Sequence, residues 1–201
     1  MPVQPARKLT CILNGAAGSQ DPNRVTALLR DAAAEHGADI DIVSARPGTD
    51  LTAIAARAIE SGSTMIVAGG GDGTINAVAA AVVESEAVLG VLPLGTLNHF
   101  AKDLGVAVDL EKAIDIAVNG RRIRVDVGEV NGRTFINNSS IGIYPDIVVE
   151  REALRAAGYR KWAAFALATA RVMRRFPGVA VRVRSDAAEA AFRTPFLLAS
   201  T

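Results

Sequence analysis

The chain contains a single cysteine, Cys11, so no disulfide framework can form within it. Only His36 and His99 accompany it as histidines, which excludes a zinc site of the finger or protease type. Aromatic residues make up 4% of the sequence and are not interleaved with basic ones, so no stacking platform for nucleic acid is present. No uninterrupted apolar run reaches the roughly 18 residues that a membrane-spanning helix needs. The opening stretch, MPVQPARKLTCILNG, lacks a signal-peptide core of adequate length, and the expected compartment is the cytoplasm. Net charge is +1, so overall charge selects no polyanionic partner. Half of the residues are apolar and 37 of the 201 are alanine. That composition is globular and suits helices packed on a parallel sheet.

The first 120 residues alternate between strand and helix patterns. Leu9–Leu13 is an apolar run that ends at Asn14-Gly15-Ala16-Ala17-Gly18, a loop signal. Asp21-Pro22 then opens a helix as cap and first residue, with Val25, Leu28, Leu29 and Ala32 at helical spacing and Gly37 as stop. Ile40, Ile42 and Val43 form a second strand, and Leu51–Ile59 a second amphipathic helix closed near Gly62. Met65–Ala68 is a buried strand running into Gly69-Gly70-Gly71-Asp72-Gly73-Thr74, with a helix expected from Thr74. Val88–Leu92 precedes Pro93-Leu94-Gly95-Thr96-Leu97-Asn98, and helices follow near His99–Leu104 and Leu110–Val118. The alternation predicts an α/β fold, a doubly wound, Rossmann-like parallel sheet with helices on both faces. Ligands in such sheets bind beyond the carboxyl ends of the strands, where loops 14–18, 69–74 and 93–98 converge.

After Gly120 the pattern changes. Ile123, Val125 and Val127 alternate with polar residues, which predicts a half-buried strand. Asn131-Gly132 signals a tight hairpin, with Thr134–Asn138 as the returning strand. Residues 150–184 hold nine Lys and Arg against two Asp and Glu. Within them Trp162, Phe165, Thr169, Val172, Met173 and Phe176 keep helical spacing. Val179–Val183 and Phe192–Ser200 read as further strands. The expected organisation is an α/β domain over 1–120, then the incomplete start of an antiparallel β domain over 121–201 that carries a basic helix.

Loop 69–74 is the most informative segment. Its glycines permit close backbone approach and positive φ, and the following helix offers free N–H groups and a positive dipole end to an anion. An acid in the same turn would repel phosphate unless a cation intervened, so Asp72 with Mg²⁺ at a nucleotide phosphate is coherent. The alternative is a tight turn with Asp72 capping the helix. The loop is neither a Walker A sequence nor a dinucleotide fingerprint, because Asn76 stands where the third glycine belongs. Asn14–Gly18 could wrap a nucleotide or be an ordinary turn. Thr96 and Asn98 could bind a ligand or cap the next helix. Asp126, between Val125 and Val127, faces either solvent or a metal. The basic helix is either a solvated face over an apolar stripe or a surface for anionic headgroups, with Trp162 at the interface.

On these residues the sequence resembles the diacylglycerol kinase catalytic domain family, which includes bacterial lipid kinases and the sphingosine and ceramide kinases. The resemblance lies in Gly69–Asn76, in Pro93-Leu94-Gly95-Thr96-Leu97-Asn98-His99-Phe100-Ala101, in Val125-Asp126-Val127-Gly128 and, more weakly, in Asn138–Gly142. The Gly-Gly-Asp-Gly core is shared with NAD kinases and phosphofructokinases, and the Gly-Thr-x-Asn-x-Phe-Ala segment is more specific to lipid kinases. The resemblance implies ATP and Mg²⁺ as cofactors and γ-phosphoryl transfer to a lipid hydroxyl such as that of diacylglycerol. It implies nucleotide contacts from Asn14, Gly15, Ala16, Ala17, Gly18, Ser44 and Thr96, and a phosphate cradle over Gly70, Gly71, Asp72, Gly73, Thr74, Ile75 and Asn76. Asp72 and Asp126 would act in catalysis through a water and Mg²⁺ network. Gly15 stands where the family usually has Pro, and His99 where it is often acidic. The Asp-Asp-Gly-type segment that would carry the general base belongs beyond Thr201. The partners implied are a lipid substrate at the membrane surface, reached by peripheral and transient association, with a homodimer left open and no nucleic acid. The alternatives are an NAD kinase-like or sugar kinase of the same superfamily, or a truncated, non-catalytic nucleotide-binding module.

Overall fold

The structure is a computed structural model that describes residues 7–15, 20–107, 109–184 and 189–201. Four parallel strands, β1 (Arg7–Asn14), β2 (Ala38–Ala45), β3 (Met65–Gly70) and β4 (Val88–Pro93), form one sheet in the order β2-β1-β3-β4. Crossovers α1 (Pro22–Glu35), α2 (Leu51–Glu60) and α3 (Asp72–Val83) join them, followed by α4 (His99–Asp103) and α5 (Leu110–Asn119). The strand period of two divides the side chains between two cores. Leu9, Cys11, Leu13, Met65 and Val67 meet α1 and α5 on one face. Ile12, Ile66, Ala68 and Val91 meet α2, α3 and Phe100 on the other. Helices therefore cover both faces, as the alternation predicts. Cys11 lies wholly inside, and burial pushes its thiol up to about 12, which leaves it unreactive.

The helix starts follow from local chemistry. Asp21, Asp50 and Asp109 each accept a backbone N–H of the first turn, at 2.9, 3.0 and 3.1 Å respectively. Pro22 occupies the first turn of α1 and Gly37 takes positive φ just past its end.

Beyond α5 the structure departs from the sequence reading in several places. Residues 121–127 form no strand and are exposed, because no described strand lies alongside them to accept their backbone bonds. The Asn131-Gly132 hairpin is present, joining β5 (Gly128–Val130) to β6 (Arg133–Phe135), with φ of 50° and 73° at the two turn residues. The returning strand stops at Phe135. The chain divides into one compact unit of residues 1–137 with Thr201 and another of 138–200, a later boundary than residue 121. The reason is that β6 packs on α3, and Ile136 joins the α3 core.

The second unit contains β7 (Asn138–Gly142), α6 (Ile143–Ala156), α7 (Lys161–Arg175), β8 (Val179–Arg184), β9 (Glu189–Thr194) and β10 (Phe196–Ser200). Helix α6 has no counterpart in the sequence reading, since its apolar positions are diluted by charge. α6 and α7 pair through Ile147, Leu154, Ala164, Ala168 and Val172. β8 pairs with β9 and β10 with β7, both antiparallel. The single strand expected over Phe192–Ser200 is two strands, because Pro195 has no N–H to offer a ladder. Among the described residues no helix is long and apolar enough to cross a membrane.

Candidate functional site

The carboxyl ends of β1, β3 and β4 bring Asn14-Gly15, the 69–74 turn and the 93–98 loop to one edge of the sheet. β3 ends in Gly69-Gly70, Gly71 caps the next helix, and α3 begins at Asp72, two residues earlier than the sequence suggests. Asp72 is thus the first helical residue. Its N–H and that of Gly73 have no intrahelical carbonyl to bond, whereas those of Thr74 and Ile75 both return to the Gly71 carbonyl. Gly71 sits at φ −86° and ψ −179°, ordinary extended backbone. The glycines here serve closeness rather than the positive φ expected of them. A Cβ on Gly70 would lie 2.5 Å from Thr74 Oγ1, and one on Gly95 would fall on the Gly71 Cα. The phosphate-type loop and the 93–98 loop therefore touch backbone to backbone.

Side chains fix this arrangement. Asn98 is buried and left-handed at φ 50°; its Oδ1 accepts the Gly95 N–H at 3.0 Å and its Nδ2 donates to the Gly95 carbonyl at 2.8 Å. Asn98 staples its own loop and makes no side-chain cap to α4. Asp72 caps α4 instead, accepting the Phe100 N–H at 3.1 Å and the Asn137 amide at 3.4 Å. Desolvation, the largest single influence, pushes the Asp72 carboxyl up. The N–H groups of Phe100 and His99, the Asn137 amide and the His99 charge together outweigh it and hold the group below the usual carboxylate range. Asp72 is ionised at neutral pH.

Asn14 Nδ2 donates to Thr74 Oγ1 at 2.9 Å, tying the end of β1 to the first turn of α3. Gly15 N–H bonds the Ala45 carbonyl at 3.3 Å. Asn14, Gly70, Gly71, Asp72, Gly73 and Thr74 are thus one connected cluster. The other expected residues are placed differently. The Ile75 side chain is fully buried in the α3 core, so the contact expected of it could come only through its backbone. The Asn76 amide is engaged with β6 and its continuation, accepting the Ile136 N–H at 3.1 Å and donating to the Thr134 carbonyl at 3.3 Å. Ser44 and Thr96 are exposed at the same sheet edge. Asp126 is exposed within 121–127, not in a strand as its alternating neighbours suggest. Ala16, Ala17 and Gly18 lie outside the described residues. Sequence reasoning missed Asn137 as an Asp72 partner; the signal available was an amide pair, Asn137-Asn138, in a strand-like run where Asn is disfavoured.

Among the described residues no group of three or more His, Cys, Asp or Glu side chains could hold a metal by itself. Mg²⁺ does not require one. It keeps several waters and takes one or two carboxylates together with substrate phosphates. An ionised Asp72 beside helical N–H groups fits that donor set.

Residues 8–130 match the diacylglycerol kinase catalytic domain. The chain is 40% identical over 151 residues to "Probable lipid kinase YegS-like" of Klebsiella pneumoniae (strain 342), covering 73% of this chain and 50% of that one. It is 39% identical over 153 residues to "Probable lipid kinase YegS" of Escherichia fergusonii, with the same coverage. The chain thus spans about half the length of these curated relatives. A solved diacylglycerol kinase structure from Bacillus anthracis str. Sterne superimposes with a TM-score of 0.70 at 20% identity, over 98% of this chain and 64% of that one. That likeness speaks for the fold. The chain belongs to the diacylglycerol kinase catalytic domain family.

Proposed function

We propose that this chain carries the nucleotide-binding part of an ATP-dependent lipid kinase, which transfers the γ-phosphoryl group to a lipid hydroxyl of the diacylglycerol type. The observation that supports this best is the ionised Asp72 at the opening of α3, beside a backbone that glycine leaves uncovered. The N–H groups of Asp72 and Gly73 and the positive end of α3 receive the phosphates. Asn14 and Thr74 hold the first and second loops in register, and Ser44 and Thr96 contact the nucleotide from the sheet edge. Phosphoryl transfer needs positioning and charge neutralisation more than covalent help. Mg²⁺, held through water by Asp72 and Asp126, would supply neutralisation. The hydroxyl proton requires a carboxylate base, which the family resemblance assigns to a segment C-terminal to Thr201. Contact with the membrane is peripheral and from the cytoplasmic side.

The test is γ-labelled ATP with a panel of lipid hydroxyls, read by thin-layer separation of lipid from soluble products on a chain extended to the length of its relatives. Label in lipid product, reduced at least about tenfold by Asp72→Asn, is expected; tenfold corresponds to roughly 1.4 kcal/mol of barrier. Unchanged turnover in that variant removes Asp72 from the mechanism. Label only in soluble product favours an NAD or sugar kinase, and nucleotide binding without turnover favours a non-catalytic module.

A further inference from the structure

Helix α7 carries chemistry that the nucleotide site does not use. Its buried side is Ala164, Ala168 and Val172, four residues apart and packed on α6. A second stripe, Trp162, Phe165, Thr169 and Met173, runs along another face, and its three large apolar members are exposed. Trp162 is 77% and Met173 65% exposed, values that no core or capping role explains.

The start of α7 differs from those of three helices of the sheet unit. Where α1, α2 and α5 open with a capping Asp, α7 opens with Arg160 at the cap and Lys161 as its first residue, with no side-chain cap and no acid in the first turn. Cations at the positive end of a helix dipole cost stability. A sequence that keeps such a cost usually does so for function. Arg171 and Arg175 are engaged by Glu150, at 3.0 and 2.5 Å. Among the described residues Arg155, Arg160, Lys161 and Arg174 have no acidic partner, and the Lys161 ammonium lies 5.8 Å from the Trp162 ring centre. An exposed aromatic and apolar stripe with the unneutralised Arg160 and Lys161 at its head is the pattern of a helix that lies in the headgroup plane of an anionic bilayer. A second copy of the chain fits less well, since a two-fold pair would set these cations against each other.

We propose that the Trp162–Phe165–Met173 face of α7, with Arg160 and Lys161 at its head, is the surface on which this protein docks to anionic membranes. The proposal takes its purpose from the lipid-kinase reading, because a substrate hydroxyl held in a bilayer must be reached from the surface. Its test reads binding and not turnover.

Trp162 is the chain's one tryptophan and serves as its own reporter. The 201-residue chain is titrated with vesicles of phosphatidylcholine containing about a third phosphatidylglycerol, and with pure phosphatidylcholine. A blue shift of emission and quenching by brominated acyl chains are expected with the anionic vesicles only, weakening as salt is raised. The double variant Arg160→Glu with Lys161→Glu is expected to lose affinity by roughly fivefold or more per charge while its melting temperature rises. Trp162→Ser, at an exposed position, is expected to lose flotation with the same vesicles. Emission unmoved by anionic vesicles, or moved equally by both kinds, overturns the proposal. So does a blue shift without lipid that tracks a dimeric mass. Vesicle binding without lipid phosphorylation would refute the kinase reading alone and leave this surface standing.

Discussion

The two glycines of the candidate site that differ most in their surroundings are Gly73 and Gly95. Gly73 is exposed in the first turn of α3, with nothing within 4 Å of where a Cβ would stand. Gly95 rests on Gly71 with no room for a methyl group. Gly95→Ala is therefore expected to cost about 1–3 kcal/mol through overpacking and to separate the two loops. Gly73→Ala is expected to leave stability unchanged or raise it by up to about 1 kcal/mol, since alanine favours the helix. If phosphate sits on this helix start, the same methyl would crowd it and weaken ATP–Mg²⁺ binding by tenfold or more. Thermal unfolding and calorimetric titration of both variants check this. A Gly73→Ala chain that binds nucleotide as the parent does would place the phosphates elsewhere. The Gly-Gly-Asp-Gly run was legible as a strand-to-helix turn at this scale, but which glycine is open and which is closely packed was not. That distinction depends on Thr74, set against Gly70 by the first turn of α3, and on Gly95, which reaches the loop only through the fold.

At the scale of elements, the sheet with its crossovers was legible because each signal is local. Period-two apolar runs, capping Asp residues and stop glycines lie within a few residues of the feature they specify. The β5–β6 hairpin was legible as a turn, but its attachment to α3 was not. Asn76, which its motif marks as a phosphate-loop residue, acts on β6 and Ile136 as a surrogate peptide group. Asn76→Ala leaves the Ile136 N–H without its acceptor, at a cost of about 1–3 kcal/mol. Amide exchange at Ile136 is expected to accelerate while the core of β3 stays protected. Unchanged exchange at Ile136 would show that the hairpin is held by apolar packing alone. Helix α6 escaped the sequence reading because its burial comes from α7, not from a strong stripe of its own.

At the scale of the whole molecule, Asp72 is the residue through which distant segments are joined. Its carboxylate links α3 to α4 and to Asn137, separations of 28 and 65 residues. The folded carboxyl sits below its unfolded range, so the unfolded chain binds more protons as acid is added. The stabilisation is complete above the unfolded pKa of about 3.9 and is lost as pH falls through the lower folded value. The difference in melting temperature between the parent and Asp72→Asn is expected to be level near neutrality and to shrink below about pH 4. A difference that stays constant through the acid range would mean that ionisation of Asp72 contributes nothing to the fold.

The sequence by itself determined the class of fold, the order of its elements from β1 to α5, the glycine-bearing turns after β3 and β4 and the family to which the chain belongs. These rest on periodicity, caps and contiguous motifs, all short-range. Only the tertiary structure decided what the motif residues do. Asp72 caps a helix that begins at His99, Asn98 staples its own loop, Asn76 holds a strand, and Asp126 lies exposed outside any strand. Those roles are set by partners between three and 65 residues away. A hydrogen bond is specified by both of its ends, and a linear motif shows only one.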